Sequence, residues 1–320
     1  MMEIVGLLIS LVILYFSAEG LVSGASSLAK RVGISPLVIG LTIVSVGTSA
    51  PELVVSIKAA LHGQSALSIG NVLGSNFFNI GLILGLAAII YPLAVKRQLL
   101  KLDVPVMILT TLLFFLFFLD SVISRVEAFI FIVMLVSYMA YLLVSSKKKN
   151  MKTQDSDSEK ETHLEEGIRL NKHWTLDILL IGVGLLGLVY GSDLLVENAV
   201  IIAARLGMSE SMIGLTIVAA GTSMPELATS VVAAVKKRAD IAIGNVVGSN
   251  ILNILLILGV AGFIQPISAP DINYIDSLFV IGISLLLWIF MKRGIRITRW
   301  QGVAFLLFYL VYFSFKLSPV

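Results

Sequence analysis

GLTIVSVGTSAPELVVS (40–56) and SIGNVLGSNFFNIGLILG (68–85) are each written a second time in the same chain, as GLTIVAAGTSMPELATS (214–230) and AIGNVVGSNILNILLILG (242–259). The offset is a constant 174 with no gap. About 30 of the 53 positions between 40 and 92 recur unchanged, among them every Gly, Ser, Asn, Pro and Glu of GTSxPE and GNVxGSN. Each copy sets one carboxylate and a row of small polar side chains inside an otherwise apolar run.

With 58% hydrophobic residues, 13% charged and a positive mean hydropathy, the chain belongs in a bilayer. It has no Cys, so disulfides, thiolate metal sites and thiol redox chemistry are excluded. No nucleic-acid motif accompanies its net charge of +3. Crossing a hydrocarbon core takes about 20 apolar residues. Ten such runs fit, at 4–22, 36–61, 66–91, 102–119, 123–145, 174–195, 210–235, 240–264, 273–291 and 299–317. If they alternate, the loops after the odd-numbered spans hold 19 of the 23 Lys and Arg residues, and the other side holds Lys58, Arg125, Arg205 and Lys316. That bias makes the basic side cytoplasmic and places both termini outside. No basic residue precedes the first span, which reads as a retained helix and not a signal peptide.

Five spans per copy is an odd number, so the second copy enters the membrane from the opposite face. The expected fold is an all-α integral membrane protein of ten helices, arranged as two inverted five-helix repeats, 1–145 and 173–320. Residues 146–172 join them as a polar cytoplasmic linker without helical or strand periodicity. Asp155, Asp157 and Glu159 alternate there, but an EF-hand's Gly and closing Glu are missing. Inverted repeats with interrupted helices are a secondary transporter's architecture, with the substrate near the midplane.

At helical spacing, Ser45, Thr48, Ser49, Glu52 and Ser56 share one face, and Thr216, Ala219, Thr222, Ser223, Glu226 and Ser230 repeat it. Asn71, Ser75 and Asn79 form a second stripe, repeated by Asn245, Ser249 and Asn253. Pro51 and Pro225 lack an amide hydrogen, which frees the carbonyls of Gly47 and Gly221 as potential ligands. A carboxylate at bilayer depth costs about 3 kcal/mol or more unless it is paired or faces a polar cavity, and neither stripe offers Lys or Arg. Glu52 and Glu226 therefore need a cation. An all-oxygen donor set suits hard ions, Ca²⁺ first and Na⁺ by the same reasoning.

Competing structural roles exist for several of these residues. Asn71, Asn76, Asn245 and Asn250 suit interhelical hydrogen bonding, and Gly70/Gly74 with Gly244/Gly248 suit close helix approach. Glu19 and Asp193 occupy the same repeat position and fit either interfacial snorkelling or ion access. Gly182, Gly184 and Gly187 spell GxGxxG within an apolar span without a preceding strand, so no dinucleotide site is expected. His62, His163 and His173 fall in loops without metal or triad spacing, and no enzyme activity is expected.

The paired strings GTSAPE (47–52) with GNVLGSNFFN (70–79), and GTSMPE (221–226) with GNVVGSNILN (244–253), resemble the two α-repeats of the sodium/calcium exchanger family of cation/calcium antiporters. The resemblance implies that the second, third, seventh and eighth helices hold a central Ca²⁺ site ringed by Na⁺ sites, while helices one and six slide to alternate access. By the same resemblance, Glu52 and Glu226 are the main Ca²⁺ carboxylates, and Thr48 and Thr222 contribute backbone oxygen. Ser49, Ser75, Ser223 and Ser249 complete outer Na⁺ sites with the carbonyls of Ser45 and Ala219, and Asn79 and Asn253 flank the middle position. Asn at both of those places, where some members carry Asp, argues against K⁺ cotransport. The expected function is electrogenic, K⁺-independent Na⁺/Ca²⁺ antiport in the cell membrane, with Ca²⁺ and Na⁺ as substrates, no cofactor and no obligatory protein partner. An H⁺/Ca²⁺ antiporter of the same fold is the alternative.

Overall fold

The computed structural model describes residues 2–154, 173–208, 219–270, 272 and 274–317; the side chains of 147–154, 219 and 315–317 lie outside the description. Its helices are α1 (Met2–Val32), α2 (Pro36–Thr48), α3 (Ala50–Leu61), α4 (Ser65–Ile90), α5 (Leu99–Asp120) and α6 (Arg125–Gln154). After these come α7 (Trp174–Arg205), α8 (Met224–Val235), α9 (Ala239–Ile264), α10 (Tyr274–Gly294) and α11 (Arg299–Leu317). Among the described residues seven helices are long and apolar enough to span a membrane, or eight when α2 and α3, bent by 47° at Ser49, count as one broken span. The other two expected spans are α11 and 210–235, of which 210–218, with Thr216, lie outside the described residues. So do residues 155–172 of the linker. Residues 146–154, expected to lack periodicity, instead prolong α6, as a Lys-rich stretch free of Gly and Pro readily does.

The repeat offset also relates tertiary structure. Two short antiparallel pairings join the halves: β1 (Leu93–Ala94) with β4 (Arg296–Ile297), and β2 (Val122–Ile123) with β3 (Ile267–Ser268). Adding 174 converts β1 into β3 and β2 into β4. It also turns the register pair Leu93 with Ile297 into Ile267 with Ile123. The halves are intertwined, because α6 of the first repeat packs on α9 of the second, and α11 of the second packs on α4 of the first. Gly259 makes room for the Ala128 carbonyl on α6, and its counterpart Gly85 makes room for the Gly302 carbonyl on α11. Central helices α4 and α9 are thereby enclosed on most sides, which explains runs that are apolar around their circumference except for the Asn/Ser stripe.

Helix α2 crosses α9 closely where Gly40 meets Gly244. A Cβ on Gly244 would lie 2.9 Å from the Leu37 carbonyl oxygen, and one on Gly248 2.9 Å from Leu41. Small residues here permit backbone approach, as expected from the spacing. Gly70 and Gly74 are exposed, and residues 211, 214 and 215, the counterparts of Leu37, Gly40 and Leu41, lie outside the described residues. Helices α1 and α7 form a long antiparallel pair beside this core, joined near one end by Glu3 and Arg205 at 2.6 Å and near the other by Arg31 and Asp177 at 3.0 Å.

Candidate ion site

The GTSxPE strings build two helix starts. Pro51 and Pro225 occupy the first turn of α3 and α8, where a missing amide hydrogen costs nothing. Ser49 (φ −81°, ψ 7°) and Ser223 (φ −90°, ψ 8°) hold the bend before each. Glu52 and Glu226 thus project from the first turns of their helices, where exposed amides favour negative charge. The GNVxGSN strings end in π-helical turns at Asn79–Leu84 and Asn253–Leu258, and Asn79 and Asn253 are the first residues of those turns. Such turns re-aim side chains and recur at functional positions.

These elements bring both stripes to one buried centre. Ser49 donates to Glu226 Oε1 at 2.9 Å, and Ser223 donates to Glu52 Oε1 at 2.9 Å. Ser49 also reaches Ser249 Oγ, and Ser223 reaches Ser75 Oγ, each at 3.0 Å. Each repeat's serine therefore orients the other repeat's glutamate. Asn79 donates to Asn250 Oδ1 at 3.0 Å, and Asn253 donates to Asn76 Oδ1 at 2.9 Å. Asn76 and Asn250 donate to each other's backbone carbonyls at 3.2 Å. Thr48 donates to Asn245 Oδ1 at 3.1 Å and Thr222 to Asn71 Oδ1 at 3.3 Å; Asn71 and Asn245 also hold the Glu52 and Glu226 carbonyls. The interhelical role expected of Asn71, Asn76, Asn245 and Asn250 is filled by these bonds.

What the network leaves over is informative. Glu52 Oε2, Glu226 Oε2, Asn79 Oδ1 and Asn253 Oδ1 are buried with no hydrogen-bond partner. All four are acceptors, and they form two pairs related by the repeat. Both carboxylates are buried, with no Lys, Arg or His ion pair to either among the described residues. No group of three or more His, Cys, Asp or Glu that could hold a metal ion occurs among those residues, and the polar atoms gathered here are two carboxylates and neutral oxygens.

Backbone carbonyls follow the expectation less closely. Ser45 O accepts from the Ser49 amide at 3.0 Å and from the Thr48 hydroxyl at 3.4 Å. In the second repeat the Ser223 amide turns to Ala220 O at 3.2 Å, and Ala219 opens the short helix Ala219–Gly221. Gly221 O, freed by Pro225, accepts from Ser192 Oγ on α7 at 2.5 Å. Ser192 was not anticipated, since one Ser in an apolar helix carries no pattern and its repeat counterpart is Ala18. Three buried acids were also missed, Asp177, paired with Arg31, and two that are held by tyrosines. Tyr138 donates to Asp103 at 3.0 Å and Tyr312 to Asp276 at 3.0 Å. The tyrosines obey the offset, but the aspartates miss it by one residue, which hid the pairing. Glu19 pairs with Lys236 at 2.6 Å, whereas Asp193 is exposed.

The family model described as sodium/calcium exchanger protein matches residues 2–146 and 176–318. The chain is 36% identical to the sodium/calcium exchanger MaX1 of Methanosarcina acetivorans, with 96% of each chain covered. It is 34% identical to the inner membrane protein YrbG of Escherichia coli, with 98% of this chain and 97% of that one covered. The solved sodium-calcium exchanger NCX_Mj superposes with a TM-score of 0.84 at 31% identity, over 98% of both chains. The fold is that of a multi-pass membrane transporter and not an enzyme. With both α-repeats matched and the architecture shared along nearly the whole length, the chain belongs to the sodium/calcium exchanger family.

Proposed function

We propose that this protein exchanges Na⁺ for Ca²⁺ across the membrane by alternating access, with net movement of charge and no requirement for K⁺. The observation that carries this reading is the set of four repeat-related oxygens, Glu52 Oε2, Glu226 Oε2, Asn79 Oδ1 and Asn253 Oδ1, each buried without a hydrogen-bond partner. Two carboxylates balance one Ca²⁺. The surrounding hydroxyls, amides and carbonyls let two or three Na⁺ replace it, and three would carry an extra positive charge per cycle.

In this scheme Glu52 and Glu226 are the shared Ca²⁺ and Na⁺ ligands, and Thr48 and Thr222 add backbone oxygen. Ser49 with Ser249, and Ser223 with Ser75, frame outer Na⁺ positions together with the carbonyls of Ser45 and Ala219. Asn79 and Asn253 flank the middle. The halves 1–145 and 173–320 act as the inverted units, with 146–172 as a cytoplasmic tether and both termini outside, as the bias of basic residues supports. MaX1 is named a sodium/calcium exchanger, which supports the same substrates here.

The test is reconstitution into liposomes with ⁴⁵Ca²⁺ outside and Na⁺ inside. Uptake should require the Na⁺ gradient, ignore K⁺ and respond to membrane voltage. Uptake driven by a pH gradient without Na⁺ would instead establish the H⁺/Ca²⁺ antiporter, and abolition by K⁺ removal would overturn K⁺ independence.

A further inference from the structure

The two-fold relation that governs the strands, the central helices and the ion site fails at the α1/α7 pair. Helix α1 packs along α8. On α8, Thr229 and Val232 are buried, but their counterparts on α3, Val55 and Lys58, are half-buried and exposed. Helix α7 thus leaves α3 more open than α1 leaves α8. One ion pair fastens the closed side, with Lys236, just past the end of α8, reaching Glu19 at 2.6 Å and Ser23 Oγ at 3.4 Å. Subtracting or adding 174 gives the mirror set: His62 past the end of α3, with Asp193 and Glu197 one turn apart on α7. His62 and Asp193 form no ion pair here, and Asp193 and Glu197 are both exposed.

An inverted-repeat transporter reaches its opposite state when each half adopts the other's conformation. We propose that Lys236–Glu19 and His62–Asp193 are alternating latches: the first holds the α1/α7 pair on the second repeat in the state described, and the second takes hold at the opposite membrane face when the first opens. This rests on the alternating-access reading and on the orientation that puts Lys236 on the cytoplasmic side. The two latches differ chemically. The first uses the long, flexible ammonium of a Lys, and the second the shorter ring of a His. Glu197, standing where the first latch has Ser23, adds a second carboxylate to the His62 side. Lys58, one turn before His62, is the only other charge on that end of α3. Among the described residues, the elements packed against α3, residues 45–48, 65–78, 253–258 and 259–264, carry no titratable side chain.

Because the chain has no native Cys, introduced pairs are unique. E19C/K236C and H62C/D193C are each treated with a short bifunctional thiol crosslinker in proteoliposomes, in high Na⁺ and in Ca²⁺ alone, and read on a gel. Both pairs should react, their yields should move in opposite directions between the two ion conditions, and either crosslink should stop exchange. H62C/D193C unreactive in every condition, or yields that do not move oppositely, would overturn the proposal. Crosslinking is read without transport, so a failure of the exchanger reading, seen as no Na⁺-driven Ca²⁺ flux in wild type, is distinct from a failure of the latches.

Discussion

Replacing Glu226 with Gln alters the site at a known atom. Glu226 Oε1 accepts from Ser49 at 2.9 Å and from Ser249 at 3.3 Å, so the oxygen of a Gln amide is drawn to that place. Its NH₂ group then falls where Oε2 stood, the oxygen without a partner, and aims two hydrogens at the cation position. A ligand becomes a repulsive group and the site charge drops from −2 to −1. Removing one member of a buried charge pair costs about 3–5 kcal/mol, or roughly 10²- to 10³·⁵-fold in Ca²⁺ affinity. In the ion-free protein the same change removes a buried charge, so E226Q should melt no lower than wild type in detergent without Ca²⁺ and should lose the upward shift that Ca²⁺ produces. Glu52, held by Ser223 at 2.9 Å, should behave alike. Isothermal titration with Ca²⁺, with thermal melts alongside, measures both effects. Ca²⁺ affinity within a few-fold of wild type in E52Q or E226Q would refute the reasoning.

Ser192→Ala leaves the Gly221 carbonyl buried without its donor, so the melting midpoint should fall by an amount matching about 1–3 kcal/mol; an unchanged midpoint would show that the bond contributes nothing. Gly248→Ala pushes a methyl against Leu41 at 2.9 Å and Ser45 Oγ at 2.7 Å, and should cost about 1–3 kcal/mol in the same melt, whereas Gly282→Ala, whose Cβ would meet Phe308 only at 3.9 Å, should be mild. Asn79→Asp adds a third carboxylate beside the centre, and titration should show tighter divalent binding that weakens as pH falls. Tyr138→Phe leaves Asp103 without its hydroxyl donor and should destabilise the protein by about 1–3 kcal/mol while Ca²⁺ affinity stays unchanged.

The duplicated strings made most of the site legible, because carboxylates, hydroxyls and amides without basic partners are costly in an apolar run unless they meet an ion. Ser49 joins Glu226 to Ser249, Ser223 joins Glu52 to Ser75, and Asn79 and Asn253 bond to Asn250 and Asn76, each across the two repeats. Three things were not legible. Periodicity assigns faces within a helix, but it does not reveal that Ser49 orients Glu226 instead of Glu52, since that follows from how the inverted halves interlock. The carbonyl freed by Pro225 looked like a ligand, yet tertiary packing brings Ser192 onto it. The repeat also hides its own exceptions: Lys236 and Glu19 pair while His62 and Asp193 do not, a difference of conformation that no pattern of residues records.

The most direct measurement of the central idea is anomalous diffraction from crystals soaked in Sr²⁺ at low and at high Na⁺. The expected result is one strong peak between Glu52 Oε2 and Glu226 Oε2 that fades as Na⁺ rises. A peak away from both carboxylates, or one indifferent to Na⁺, would contradict a shared site at which the two ions exchange.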